Sequence, residues 1–488
     1  MSVEMLLVIV IGLPLVGSLC IPLFRLVQSE VRLRAAYAVA IAILTNFASW
    51  CLIPFGLSGK TDRFVLSVWP GLDWVLVVDA LSIFMAVTAS FLGMMIIIYS
   101  IDYMREQKHL SEYYLVVLLF IGSMMGLVFS AHLIFLYLFW EMSSFASWRL
   151  IGFYRKPEFV EKSGKAFLIT FFGAVCMLLG FLLLFETFGT FDLTVVRGSA
   201  VGGIAILLIL LGMFSKSATV PLHTWLPDAG VAPSTVTSLL HAAVLVKIGL
   251  YAFARIFNYA LVLPDNWRTA IMWVALLSAF ISACAALLEN NIKRILAYST
   301  VSQIGYIFIG FASYTAIGVA GALLYILAHG LAKAGLFLAA GIIEHGTGTK
   351  DITRMGGLSK GMPWTAMAFL LCSFSIIGLP PFGGFFAKFM VLSGAMQTGQ
   401  PWIAAFGLVT ASLTLLYLLR AYTLIFTGEA RDTTMHAHHE GTRMMVGVVV
   451  VLAFLALLSG IVVHLPIALI SEALPRLVHT AAEQLPFI

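Results

Sequence analysis

Apolar runs of roughly 20 residues recur from one end of this chain to the other. A helix needs about that length to cross some 30 Å of hydrocarbon. Strands of a membrane barrel would instead read as short alternating segments, so the runs predict helices. The 488 residues are 61% hydrophobic and 10% charged, well beyond the roughly 45–50% apolar usage of soluble domains, and the mean hydropathy is +1.03. The predicted fold class is an all-α membrane protein with about fourteen transmembrane helices. Spans are placed near 5–25, 32–55, 77–100, 112–130, 132–153, 165–186, 204–222, 234–258, 268–288, 294–312, 317–343, 366–396, 402–427 and 444–466.

The net charge of +5 sits mostly in short loops, where basic residues set topology, and it carries no nucleic-acid inference. With the N-terminus outside, sixteen lysines and arginines fall in inside loops. Six fall outside: Lys60, Arg63, Arg197, Arg255, Arg268 and Arg476. That bias predicts both termini outside. Glu4 stands where a leader would be basic, so the first apolar run reads as a span and not as a removable signal peptide. The five cysteines all lie within apolar runs without CxxC spacing; no disulfide framework and no zinc or iron–sulfur site is expected. His436, His438 and His439 cluster in one short loop but lack zinc-ligand spacing. No metal and no cofactor is expected.

The informative residues are the ionisable ones inside spans. A lysine or arginine at the bilayer centre costs at least roughly 2.5–3.5 kcal/mol, so Arg149, Lys216, Lys247, Lys333, Lys388 and Arg420 each need a reason. Arg420 lies close enough to an inside loop to snorkel. Glu141 is the only acid in its span, and Arg149, eight residues on, sits about 12 Å along the axis and on another face. Its counter-ion therefore comes from a different helix. Lys216 precedes Pro221 by five residues, and the proline breaks the helix inside the membrane. Open backbone at that depth survives beside protein or water, so Lys216, His223 and Asp228 are expected to border a hydrated cavity, with His241 and Lys247 on the next span. Pro380, Pro381, Gly383 and Gly384 make a second break before Lys388; paired interrupted helices point to an inverted-repeat transporter. His329 and Lys333, four apart, share one helical face. Lys293 and Arg294 read as a basic turn that fixes orientation.

Four segments, KSATVPLHTWLPDAGVAPSTVTSLLHAAVLVKIGLY, IKRILAYSTVSQIGY, AHGLAKAGLF and GLPPFGGFFAKF, stand in that order. Together they resemble the antiporter-like subunits shared by respiratory complex I, Mrp-type Na+/H+ antiporters and membrane-bound hydrogenases, over about residues 75–425. The resemblance implies two inverted five-helix repeats, each with one discontinuous helix. It divides the chain into a three-helix segment (1–111), the repeats (112–260 and 261–428) and a last span with its tail (429–488). It also implies a bacterial or archaeal plasma membrane and other membrane subunits as partners. Glu141 and Lys216 match the family's acid–lysine pair, Lys247, His329 and Lys333 its central relay, and Lys388 its exit-side lysine. His223, Asp228 and His241 match supporting positions. Trp148 and Arg149 depart from many respiratory members, and SFASW is similar to hydrogenase-type wording. About twenty residues follow the last span, without the long lateral helix of the distal complex I subunit.

The expected function is a non-redox subunit that moves protons, with the distance to Glu141 governing the charge of Lys216. The alternative is an Na+/H+ antiporter, alone or as a subunit. A redox enzyme in its own right is disfavoured because no Cys cluster, haem pair or nucleotide loop is present. A scaffold with a dead channel sits badly with four intramembrane lysines.

Overall fold

The computed structural model describes residues 1–25, 31–70, 72–429 and 440–478; the histidine loop around His436 lies outside them. In chain order the helices are α1 (Val3–Cys20), α2 (Val31–Trp50), α3 (Ala80–Tyr103), α4 (Leu110–Phe129), α5 (Leu133–Ile151), α6 (Pro157–Phe188), α7 (Gly203–Lys216), α8 (Ser234–Ala260), α9 (Asp265–Leu288), α10 (Ile292–Ser313), α11 (Ala316–Thr347), α12 (Pro363–Ile377), α13 (Gly383–Gln397), α14 (Pro401–Phe426), α15 (Arg443–Ile461) and α16 (His464–Leu477). Among the described residues, eleven helices are long and apolar enough to cross a membrane.

Before α3 the chain forms an antiparallel hairpin, β1 (Asp62–Trp69) with β2 (Leu72–Val78). The apolar windows do not register it. The face of the molecule carrying it is termed the hairpin face. His132 pairs with Asp192 there and Ser199–Ala200 pair with Leu261–Val262, so the start of α5 and the ends of α6 and α8 meet on that face. The opposite face gathers Asp228 with Lys165 and Arg294, and Asp102 with Thr442.

Burial separates centre from rim. The apolar window of α8 is 100% buried and those of α10 and α11 94%, against 39% for α6 and α14. Exposed large side chains on the rim, such as Leu168, Phe172 and Leu408, are what a lipid-facing surface requires.

Both breaks anticipated at the prolines are present. Helix α7 stops at Lys216, and helical structure resumes only at Trp225–Asp228. Helix α12 stops at Ile377, and α13 starts at Gly383. Each of α7, α12 and α13 is about 21–23 Å long, too short to span alone. A third irregularity carries no proline: in α8, Leu239–Ala243 and Ala254–Ala260 are π-helical, and Val244 leaves the helical region at φ −125°, ψ −71°.

One local motif occurs twice. The 32-residue helices α6 and α11 each end on a left-handed glycine, Gly189 (φ 68°) and Gly348 (φ 69°). TFDLT (190–194) and TKDIT (349–353) follow. In each, the aspartate backbone N–H donates to the first threonine, and the aspartate carboxylate accepts from the last threonine's N–H and hydroxyl. In each, the aspartate bridges to the residue before a helix, His132 before α5 and Asn291 before α10. One copy lies on the hairpin face and the other on the opposite face.

Candidate functional site

Glu141 and Lys216 sit where α5 passes the broken end of α7. The Lys216 ammonium donates to Trp140 O (3.0 Å) and Ser144 Oγ (2.6 Å) and lies 5.3 Å from the Trp140 ring. It makes no ion pair with Glu141, whose Oε1 is buried without a hydrogen-bond partner. The pair expected from sequence is thus adjacent along α5 but open, because the ammonium turns to the acceptors on either side of the carboxylate. Glu141 is half-buried, on the same side of α5 as Leu138 and Phe145, which are 51% and 53% exposed.

The irregularity of α8 creates the next station. Where the helix slips, the His241 carbonyl is free of its helical partner and accepts from the Lys247 ammonium at 2.7 Å. The same ammonium lies 2.9 Å from His329 Nδ1 on α11. His241 stacks on Phe337 at 4.3 Å, and neither of its ring nitrogens has a partner in the protein, nor has His329 Nε2. One turn along α11, Lys333 donates to Leu296 O on α10 at 2.9 Å.

Lys388 occupies the second break. From α13 it reaches back to the last carbonyls of α12, Ile376 O (2.7 Å) and Ile377 O (3.2 Å). A helix C-terminus leaves such carbonyls unpaired and carries partial negative charge, so a cation fits there. The Tyr306 and Tyr325 rings lie 4.9 and 5.8 Å from the ammonium. Tyr325 continues through Gln303 to Tyr417 and Ser299, a polar run at depth that sequence reading passed over.

Lys216, His241, Lys247, His329, Lys333 and Lys388 are all at most 5% exposed. Their ammonium partners are mainly main-chain oxygens, and among the described residues none of these lysines has a carboxylate within ion-pair reach. The supporting residues divide. His241 lies in the line. His223 lies in the α7 break with its ring 6.4 Å from Tyr298. Asp228 stands apart, bound to Lys165 (2.7 Å) and Arg294 (2.9 Å) at the opposite face.

Two basic residues are placed differently from the sequence reading. Arg255, assigned to an outside loop, is 1% exposed inside α8 and bidentate to Asp79. Lys293, read as part of a basic turn, is also 1% exposed and pairs with Glu344 at 2.7 Å. Both were missed because each lies near a span end, where hydropathy windows lose resolution; their acids, Asp79 and Glu344, are the retrospective signal. Burial opposes the Asp79 carboxylate, but the Arg255 guanidinium outweighs it and holds the group below its ordinary range. Arg149 joins Arg155 on Glu112, and Arg420 reaches Glu289 O and Asn290 at the opposite face. A cleft of about 750 Å³, lined by Asp102, Tyr103, Glu106, Glu344 and His345 among others, opens beside Lys293 on that face.

Residues 130–414 match the family described as NADH:quinone oxidoreductase/Mrp antiporter, TM, and residues 71–114 match NADH-Ubiquinone oxidoreductase (complex I), chain 5 N-terminus. The chain is 32% identical over 93% of its length to an Na(+)/H(+) antiporter subunit A1 of Staphylococcus haemolyticus, and 30% identical over 98% to that of Staphylococcus aureus. It spans 60% and 64% of those relatives' own lengths. A solved Mrp complex from Dietzia sp. DQ12-45-1b contains a chain that superposes with a TM-score of 0.89, at 25% identity and 98% coverage of both chains. A chain of the membrane-bound sulfane sulfur reductase, an archaeal respiratory membrane complex, shares the fold at TM-score 0.87, 23% identity and 97% coverage of both. The match over more than half the chain identifies it as a multi-pass membrane protein of the NADH:quinone oxidoreductase/Mrp antiporter transmembrane family.

Proposed function

We propose that this chain is a proton-translocating subunit of a multisubunit plasma-membrane complex. Charge passes from Lys216 by Lys247, His329 and Lys333 to Lys388. The observation that carries the reading is the line itself: four buried lysines moored on backbone carbonyls across α7, α8, α11 and α13, with the buried histidines His241 and His329 between them. Charge held at such depth without carboxylates is costly, and it usually marks an ion path. The open polar atoms of His241, His329, Thr235 and Ser238 supply the hydrogen-bonding groups that a water-connected relay uses.

Glu141 acts as the switch. When it approaches Lys216 the ammonium is held; when it withdraws, repulsion and desolvation favour transfer toward Lys247. Ser217, next to Lys216, already bonds Val246 O beside Lys247. Glu141 lies on a partly exposed side of α5, and a carboxylate at that depth does not face lipid; an adjoining membrane subunit is the occupant this reading requires. The Dietzia neighbour, itself part of a complex, supports that arrangement.

Two inverted five-helix repeats, α4–α8 and α9–α14, are supported by the duplicated threonine–aspartate–threonine motif on opposite faces and by one broken helix in each half. Counting α5, α7 and the α12–α13 pair with the eleven long helices makes fourteen spans. The hairpin face is then outside, with both termini, and the cleft beside Lys293 is the inside mouth.

Glu141→Ala or Lys216→Ala is expected to leave assembly intact and to abolish driven proton movement in reconstituted vesicles. Normal pumping in either variant removes the switch. The relatives' names favour a second reading, Na+ exchanged for H+ by the assembly; sodium-dependent proton movement that vanishes with the same variants establishes it.

A further inference from the structure

One buried charge pair takes no part in the line just described. On α8, Lys247, Tyr251, Arg255 and Tyr259 are spaced by four and so share a face. The α-helical steps rise about 6 Å and the stripe continues into the π-helical end at Arg255 and Tyr259, which makes it the direct axial way from Lys247 to the hairpin face. It is filled. The Arg255 Nε donates to Tyr251 Oη at 2.8 Å, and its Nη1 and Nη2 donate to Asp79 Oδ2 (2.6 Å) and Oδ1 (2.9 Å). The Tyr251 hydroxyl donates to Val128 O. The Tyr251 and Tyr259 rings flank the guanidinium at 5.4 and 4.9 Å. Asp79 is itself fixed, because Oδ1 caps α3 through Ser82 N at 2.9 Å.

We propose that Asp79, Arg255 and Tyr251 form a dry seal at the hairpin-face end of α8, which blocks direct exit from Lys247 and obliges charge to cross sideways to Lys388. The inference rests on the transport reading above. Arginine is suited to the task because its guanidinium keeps its proton at any working pH. It cannot relay, and its fixed charge repels an approaching proton or metal cation, as electrostatic barriers do in narrow pores. Along α8, unpartnered polar atoms lie at Thr235, Ser238 and His241 on one side of the seal and at Asn258 Oδ1 on the other, whereas each of the three Arg255 nitrogens between them donates to an oxygen. Beyond the seal, Asp79 packs beside Lys60, Thr61, Glu472 and Arg476 around a crevice too tight to admit a water molecule.

The test uses the complex as purified, reconstituted in vesicles with an internal pH dye and a potassium diffusion potential, so that passive proton influx is read without any driving reaction. Arg255→Gln and Asp79→Asn are expected to raise influx by about tenfold or more, and the double exchange Asp79→Arg with Arg255→Asp to bring it back toward the parent level. Tyr251→Phe removes one oxygen at nearly constant volume, frees Arg255 Nε and is expected to leak by a smaller factor; it serves if the charge variants do not assemble. Assembled Arg255→Gln that stays as tight as the parent overturns the seal, as does a tight Tyr251→Phe beside charge variants that fail only by misassembly. Driven translocation in the same parent vesicles separates the two ideas. A parent that moves no ions sinks the transport reading, whereas a working parent with a tight Arg255→Gln removes the seal alone.

Discussion

At the scale of single residues, the chain makes a consistent distinction between charges that are paired and charges that are moored. Asp79–Arg255 is a buried pair and Lys293–Glu344 a pair with only the lysine fully buried, which also donates to Ala232 O, while the lysines of the central line rest mainly on main-chain oxygens without a carboxylate. The difference predicts different mutant behaviour. Glu344→Gln strands Lys293 and is expected to destabilise the protein by about 3 kcal/mol, the low end for a broken buried pair because Glu344 keeps some exposure; a lowered melting temperature of the purified protein checks it. Lys247→Met removes the cation at similar volume, so stability is expected to change little while driven transport falls at least about a hundredfold; dye-based transport in vesicles beside a melting curve reads both. Asp79 supplies a pH test. Its carboxylate is held below the ordinary range, so the stability it contributes is complete above that range and is lost only as pH falls through the lowered value. Acid titration followed by size-exclusion chromatography should show the parent outlasting Arg255→Gln.

At the scale of elements, function depends on helices that stop. Gly378 ends α12 at φ 88°, and a methyl built there would lie 3.1 Å from Lys388 Cδ. Gly378→Ala is expected to strain the turn by about 1–2 kcal/mol and to push the Lys388 chain off Ile376 O, giving a folded protein with impaired transport; melting and flux measured together check it. The two proline breaks were legible because proline has a stated backbone consequence. The slip in α8 was not, since LLHAAVLVK contains only residues that a regular helix accepts; packing against α11, not propensity, sets it there. The hairpin 62–78 was missed for another reason: it falls mostly between the spans placed at 32–55 and 77–100, and hydropathy windows of helical length do not register two short strands. The Glu141–Lys216 relation was legible as proximity between helices and no further, because which acceptor an ammonium chooses depends on oxygens of the main chain. TFDLT and TKDIT share a pattern of residue types that aligning the chain against itself would pick out; hydropathy windows ignore it because both copies fall between spans.

At the scale of the whole molecule, helices α8, α10 and α11 form a polar-threaded centre inside a rim that meets lipid or protein. Hydropathy alone cannot tell those two solvents apart, which is why the partner surface was unreadable while the spans were not. The side of α5 bearing Glu141 is the discriminating case. Cysteine at Leu138 or Phe145 should cross-link to a co-purifying membrane subunit, whereas cysteine at Leu408 on the α14 rim should not; the reverse pattern would detach Glu141 from any subunit contact.

The mooring oxygens at Trp140, His241, Leu296, Ile376 and Ile377 belong to peptide groups, and no codon change deletes a peptide oxygen. A mutational scan of this protein would therefore register side-chain partners such as Ser144 and His329 but stay blind to the carbonyls that hold the same ammonium groups. Weakening those acceptors takes chemistry in the backbone itself, such as an amide-to-ester replacement introduced through a hydroxy acid.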